Sequence, residues 1–133
     1  MSNRNYQNQN LHDNVIYSAR RFLNDREFDI YTNPGNKKNA GIGNLYPDII
    51  LTDKNEKTVK FFIEVETSDS INISEATNQW KRYANNIRAS FYLLVPLRLK
   101  SKANLLCKQV GISVRFGTYE VDYNGNILNI NWE

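Results

Sequence analysis

One cysteine and one histidine are all that this 133-residue chain offers a soft metal ion. A lone Cys107 excludes an internal disulfide and a cysteine-built zinc site. Apolar runs are short, and none approaches the ~20 residues that cross a bilayer. The opening Met1-Ser2-Asn3-Arg4-Asn5-Tyr6 leads into no apolar stretch, so the sequence predicts no signal peptide, no membrane partner and a cytoplasmic location. Neither sign of charge dominates: 17 Lys+Arg against 14 Asp+Glu give a net charge of +3. That mild basicity suits a nucleic-acid partner but is shared by many unrelated proteins. What remains is an ordinary globular composition, 41% hydrophobic and 23% charged. A chain of this length buries roughly two thirds of its unfolded surface around one core. The expected organisation is a mobile, asparagine-rich tail over residues 1–10 and one domain over residues 11–133.

From Leu11 to Leu23 the apolar residues Leu11, Val15, Ile16, Ala19, Phe22 and Leu23 recur at helical spacing. His12 stands alone near the start of that helix and reads as a surface or capping residue. Phe28 to Tyr31 reads as a short strand. Asn33 to Asn44 follows as a turn-rich loop containing Lys37 and Lys38. The period then changes to that of strands at Asp48–Thr52 and Thr58–Glu66, joined by a turn at Asp53–Lys57. Asn72, with Glu75 three positions on, opens a helix with a stripe of Ile73, Ala76, Thr77, Trp80, Ala84 and Ile87. Phe91–Val95 is a continuous apolar run ended by Pro96, as for a strand covered on both faces. A third helix over Lys102–Val110 stops at Gly111, placing Cys107 in the core. Ile112–Trp132 reads as strands around an Asn124-Gly125 turn. This order predicts an α/β fold of three layers, with helices flanking a central mixed sheet.

The stretch that carries chemistry is Tyr46-Pro47-Asp48 followed by Ile63-Glu64-Val65-Glu66-Thr67. Strand alternation puts Glu64 and Glu66 on one face with Phe62. A turn centred near Glu56 sets residue 48 opposite residue 64, where directly opposed Cβ atoms lie ~5 Å apart. Asp48, Glu64 and Glu66 are thus expected to crowd one patch. Such carboxylates push one another's pKa upward, and a divalent cation reverses the sign of that cost. Hard oxygen donors without histidine or cysteine suit Mg²⁺ or Mn²⁺. Metal-assisted phosphodiester hydrolysis is the reaction class that follows. The plainer reading is a set of solvated acids on a half-exposed sheet.

At these residues the chain resembles the PD-(D/E)xK nuclease superfamily, with its restriction-endonuclease-like fold. Within it the look is that of archaeal Holliday-junction resolvases and RecB-type nuclease domains. The resemblance runs from about Leu11 to Pro96, and Gln79-Trp80-Lys81-Arg82-Tyr83 is similar to the QxxxY motif of the RecB-like branch. It implies a Mg²⁺-dependent nuclease acting on DNA. Asp48, Glu64 and the Val65 backbone carbonyl would hold the metal, and Gln79 and Tyr83 would support the site. The motif's lysine is replaced by Glu66, which then serves as a further ligand or a water-orienting base. Lys60 shares the face of Glu64 but lies too far along the strand to stand in for that lysine. Asp13 would supply the acid that many members carry on the first helix. Lys37 and Lys38 on a flexible loop, together with Arg82, are the cations expected to meet DNA, whereas Lys81 points away from Gln79. Small nucleases of this kind often pair, so a homodimer is expected too. The replaced lysine keeps a second expectation open, a non-catalytic nucleic-acid-binding or assembly module on the same fold.

Overall fold

The computed structural model of the chain describes residues 5–23 and 25–133. Helix α1 spans Tyr6–Phe22 and starts where the Asn5 side chain accepts a hydrogen bond from the Asn8 backbone N–H. The helix therefore begins five residues before the apolar stripe does, and residues 6–10 of the expected tail form its first turns. The rest of that tail, residues 1–4, lies outside the described residues. Strands β1 (Phe28–Thr32), β2 (Ile49–Asp53) and β3 (Val59–Val65) follow. Helix α2 combines α-helical Ile73–Glu75, a π-helical turn Ala76–Trp80 and α-helical Lys81–Asn86. Strand β4 (Ser90–Pro96), helix α3 (Lys100–Val110) and strands β5 (Arg115–Val121) and β6 (Ile127–Trp132) complete the fold.

The six strands form one mixed sheet in sequence order, β1-β2-β3-β4-β5-β6. The β1–β2, β2–β3 and β5–β6 pairs are antiparallel, and the β3–β4 and β4–β5 pairs are parallel. Each parallel pair is joined through a helix, α2 for the first and α3 for the second, as crossovers require. Two cores result. On one face Val15, Ile16 and Ala19 of α1 pack on Ile49, Leu51, Ile63, Val65 and Leu94. On the other, Ala76, Trp80 and Ile87 of α2 and Ala103, Leu106 and Cys107 of α3 pack on Phe62, Phe91, Leu93 and Val95. The architecture is α/β, with helices on both faces of a mixed sheet.

Most stripes match their sequence pattern, with two informative exceptions. Phe22 is 76% exposed because α1 ends there. Ile73 is exposed, as is Thr77, because the π turn resets the helical phase before Trp80 reaches the core. Helix α3 stops at Gly111, whose φ of +76° is the left-handed capping conformation that favours glycine. Burial pushes the Cys107 thiol up to about 11, so it behaves as a small apolar core residue.

Gly117 on β5 is where strand and ring approach most closely. A Cβ there would lie 2.5 Å from Trp132 Cε3 and 3.0 Å from Leu94 Cδ1. Gly117→Ala is therefore expected to destabilise the protein by about 1–3 kcal/mol, the usual cost of overpacking. Urea unfolding followed by tryptophan fluorescence reads this directly, and an unchanged midpoint would mean that the Trp132 ring yields freely.

Candidate functional site

The β2–β3 hairpin places two carboxylates at one end of the sheet. Its ladder pairs Ile49 with Ile63, Ile50 with Phe62 and Leu51 with Phe61, and a bulge after Leu51 shifts the pairing toward the turn. Continued one step beyond Ile49, that register sets Asp48 against Glu64. The two residues interlock through the backbone. The Asp48 N–H donates to Glu64 Oε1 at 3.2 Å, and the Val65 N–H donates to Asp48 Oδ2 at 2.7 Å. Glu64 Oε2 accepts from Gln79 Nε2 on α2 at 2.8 Å. Both carboxylates are buried, Glu64 almost completely. Burial, followed by the charges of Asp48 and Glu66, holds the Glu64 carboxyl well above the usual carboxylate range.

Glu66 departs from expectation. It lies one residue past the end of β3, fully buried, and its Oε1 accepts from the Trp80 indole Nε1 at 2.9 Å. Its backbone is held as well: the N–H donates to the Leu94 carbonyl at 2.9 Å, and the carbonyl accepts from the Tyr119 hydroxyl at 2.8 Å. Glu66 does not line the cavity onto which Asp48 and Glu64 open. Among the described residues, no three His, Cys, Asp or Glu side chains come together as one metal-binding group. Glu66 keeps the face of Glu64 that alternation predicts, but its Oε1 is taken by the Trp80 indole, so the carboxylates that open onto the cavity are Asp48 and Glu64. The π turn allows this division, since adjacent residues Gln79 and Trp80 each reach a different glutamate of the same strand end.

The cavity, of about 250 Å³, gathers most of the other expected residues. Gln79, Arg82 and Tyr83 of α2 line it with Asp48 and Glu64, while Lys37 and Lys38 enter from the 33–44 loop. Lys81 is absent from the lining, in keeping with its place on the helix, and Lys60 pairs with Glu56 at 3.8 Å. Burial and then the Glu64 charge push the Tyr83 phenol upward, so it stays protonated at neutral pH.

The 33–44 loop is a pinned rim rather than a free arm. Asn33 Nδ2 donates to the carbonyls of Ala40 and Pro47, each at 2.7 Å, and Asn33 Oδ1 accepts from the Ala40 N–H at 3.0 Å. Asn39 Nδ2 donates to the Thr32 carbonyl at 3.0 Å. Lys38 Nζ lies 5.2 Å from the centre of the Tyr46 ring, within cation–π range.

His12 is a buried residue, not the surface or capping residue that the sequence predicts. It is 2% exposed and lines the cavity, with Nε2 3.0 Å from Asp48 Oδ2 and Nδ1 3.0 Å from Asp13 Oδ1. Its spacing of three, four and seven residues from Val15, Ile16 and Ala19 set it on the buried stripe. That was the signal available. Asp13, expected as the acid of the first helix, does not line the cavity. Its Oδ1 instead accepts from the Gly35 N–H at 2.9 Å and from Gln9 Nε2 at 3.0 Å.

No protein-family model matches this chain, and searches of curated proteins and of solved structures return no match. The donor set itself fits a hard divalent cation. Among the described residues neither Asp48 nor Glu64 pairs with a lysine or arginine. Both open onto a cavity large enough for an ion that retains several waters. Gln79 Oε1 is also buried without a hydrogen-bond partner among the described residues.

Proposed function

We propose that this chain is a divalent-cation-dependent DNA nuclease with a restriction-endonuclease-like fold. The observation that carries the reading is the buried Asp48–Glu64 pair, interlocked across a hairpin and opening onto a cavity whose rim carries Lys37, Lys38 and Arg82. Asp48, Glu64 and the Val65 carbonyl would hold Mg²⁺ or Mn²⁺. When bound, that ion supplies charge neutralisation at a phosphate and a more acidic water. Gln79 fixes the Glu64 carboxylate by its 2.8 Å hydrogen bond. Tyr83, kept neutral, offers a hydroxyl at the cavity wall. Lys37, Lys38 and Arg82 provide cations for the DNA backbone. Glu66 leaves the metal and base roles and anchors α2 through Trp80. Pairing of two chains to cut two strands belongs to the same proposal.

The test is cleavage of branched, duplex and single-stranded DNA with Mg²⁺ or Mn²⁺ against EDTA. The proposal predicts metal-dependent products from at least one substrate. Absence of cleavage from all three contradicts it. One observation favours the second reading, a DNA-binding module without catalysis: no lysine stands where the motif has one, and Glu66 is engaged by Trp80. DNA binding without metal uptake would select that reading.

Both readings place the loop lysines on phosphates. Lys37→Ala and Lys38→Ala are each expected to weaken DNA binding across sequences and to lower the salt slope by about 1. Fluorescence anisotropy over a range of salt concentrations measures both, and slopes matching wild type would remove the loop from the interface.

A further inference from the structure

We propose that Asp13 and His12 on α1 form a positioning clamp that ties the Lys37–Lys38 loop to the Asp48 carboxylate. The pair thereby links the DNA-facing rim to the proposed metal ligand, and the inference rests on the nuclease reading for its catalytic consequence only. The chain of contacts is short and continuous. The Gly35 N–H donates to Asp13 Oδ1 at 2.9 Å, Asp13 Oδ1 meets His12 Nδ1 at 3.0 Å, and His12 Nε2 lies 3.0 Å from Asp48 Oδ2. Gln9, one turn earlier on α1, donates to the same Asp13 oxygen at 3.0 Å and fixes its rotamer.

Loop and aspartate are also joined through the main chain. The Asn33 N–H donates to the Asp48 carbonyl at 2.9 Å, and Asn33 Nδ2 donates to the Pro47 carbonyl at 2.7 Å. Asn33 thus holds the base of the loop to the Asp48 backbone, while Asp13–His12 hold its next turn to the Asp48 side chain. Gly35 has a φ of +60°, a left-handed conformation in which its N–H reaches Asp13, and Lys37 follows two residues on, closing a turn on the Pro34 carbonyl at 3.1 Å. Asp48 Oδ2 accepts a hydrogen bond from the Val65 N–H and has the His12 ring packed 3.0 Å away, so the ring limits the directions open to the carboxyl group. Displacing the loop moves Asp13 and His12, and the aim of Asp48 follows.

The test uses Asp13→Ala and Asp13→Asn, which leave every proposed ligand in place. In the absence of metal, Asp13→Ala is expected to speed amide exchange at Gly35 and to weaken DNA binding. Asp13→Asn, whose Oδ1 still accepts from Gly35, recovers the slow exchange. In the Lys37→Ala/Lys38→Ala background the same change adds no further loss of affinity, because the lysines that the clamp places are gone. With Mg²⁺, kcat falls about 10-fold in Asp13→Ala, as for loss of an outer-shell partner. Unchanged exchange at Gly35, or affinity losses that simply add, overturns the clamp, since a merely structural aspartate gives additive effects. Wild-type protein that binds DNA but cuts none would remove the nuclease reading, while exchange and affinity would still decide the clamp.

Discussion

Asp48→Asn is expected to lower the rate of DNA cleavage by about 10³-fold, roughly the 4 kcal/mol of transition-state charge stabilisation that a well-held cation provides. The substitution changes charge with little change of shape. A carboxamide still offers one oxygen to the Val65 N–H that now donates to Asp48 Oδ2 at 2.7 Å. The hairpin should therefore remain closed, and near-native thermal unfolding would show that the loss is chemical. Glu64→Gln should fall comparably. Cleavage at wild-type rates in either variant would mean that the acid pair takes no part in the reaction.

The second large effect runs in the opposite direction, on stability. In metal-free protein the folded state holds the Glu64 proton more tightly than the unfolded chain does, because burial and the neighbouring Asp48 and Glu66 charges oppose ionisation. Its folded pKa is raised, so between the usual carboxylate range and that higher value the folded protein carries the extra proton. Stability therefore falls as pH rises through this window, where an ionised Glu64 is a net cost. Glu64→Gln removes the charge. Its amide would face Gln79 Nε2, but Gln79 Oε1, buried without a partner among the described residues, can turn to accept from it. The variant should melt above metal-free wild type once pH exceeds the usual carboxylate range, by about 4 °C for each 1 kcal/mol in a chain near this size. It should also show a flatter stability profile above the usual carboxylate range. Divalent cation should raise the melting temperature of wild type only. A Glu64→Gln protein that melts lower than wild type at every pH would contradict the account of this carboxylate.

These predictions rest on geometry that was partly legible in the sequence. Counting residues across the Asp53–Lys57 turn set position 48 opposite position 64, and the ladder from Ile49–Ile63 to Leu51–Phe61 follows that count. The bulge lies on the turn side of Leu51, away from the acids, and leaves that pairing undisturbed. The hydrophobic run Phe91–Val95 likewise announced a strand buried between two helical layers. Three things were not legible. Parity sets Glu66 on the face of Glu64, toward α2, as found, but does not disclose that the Trp80 indole takes its Oε1. The π turn that brings both Gln79 and Trp80 to the sheet leaves no mark in a 3.6-residue pattern. His12 lay on the buried stripe, but its partners Asp48 and Gly35-bound Asp13 come from 36 residues away and from the adjacent position, contacts that spacing along one helix does not disclose.

The central claim is that Asp48 and Glu64 together hold one divalent cation. Calorimetric titration of the whole protein with Mn²⁺ addresses it without reference to any DNA substrate. The account predicts saturable uptake of Mn²⁺ by wild type and its loss in both Asp48→Asn and Glu64→Gln, with Glu66→Gln retaining uptake. No saturable heat with wild type, or equal uptake by all four proteins, would contradict it.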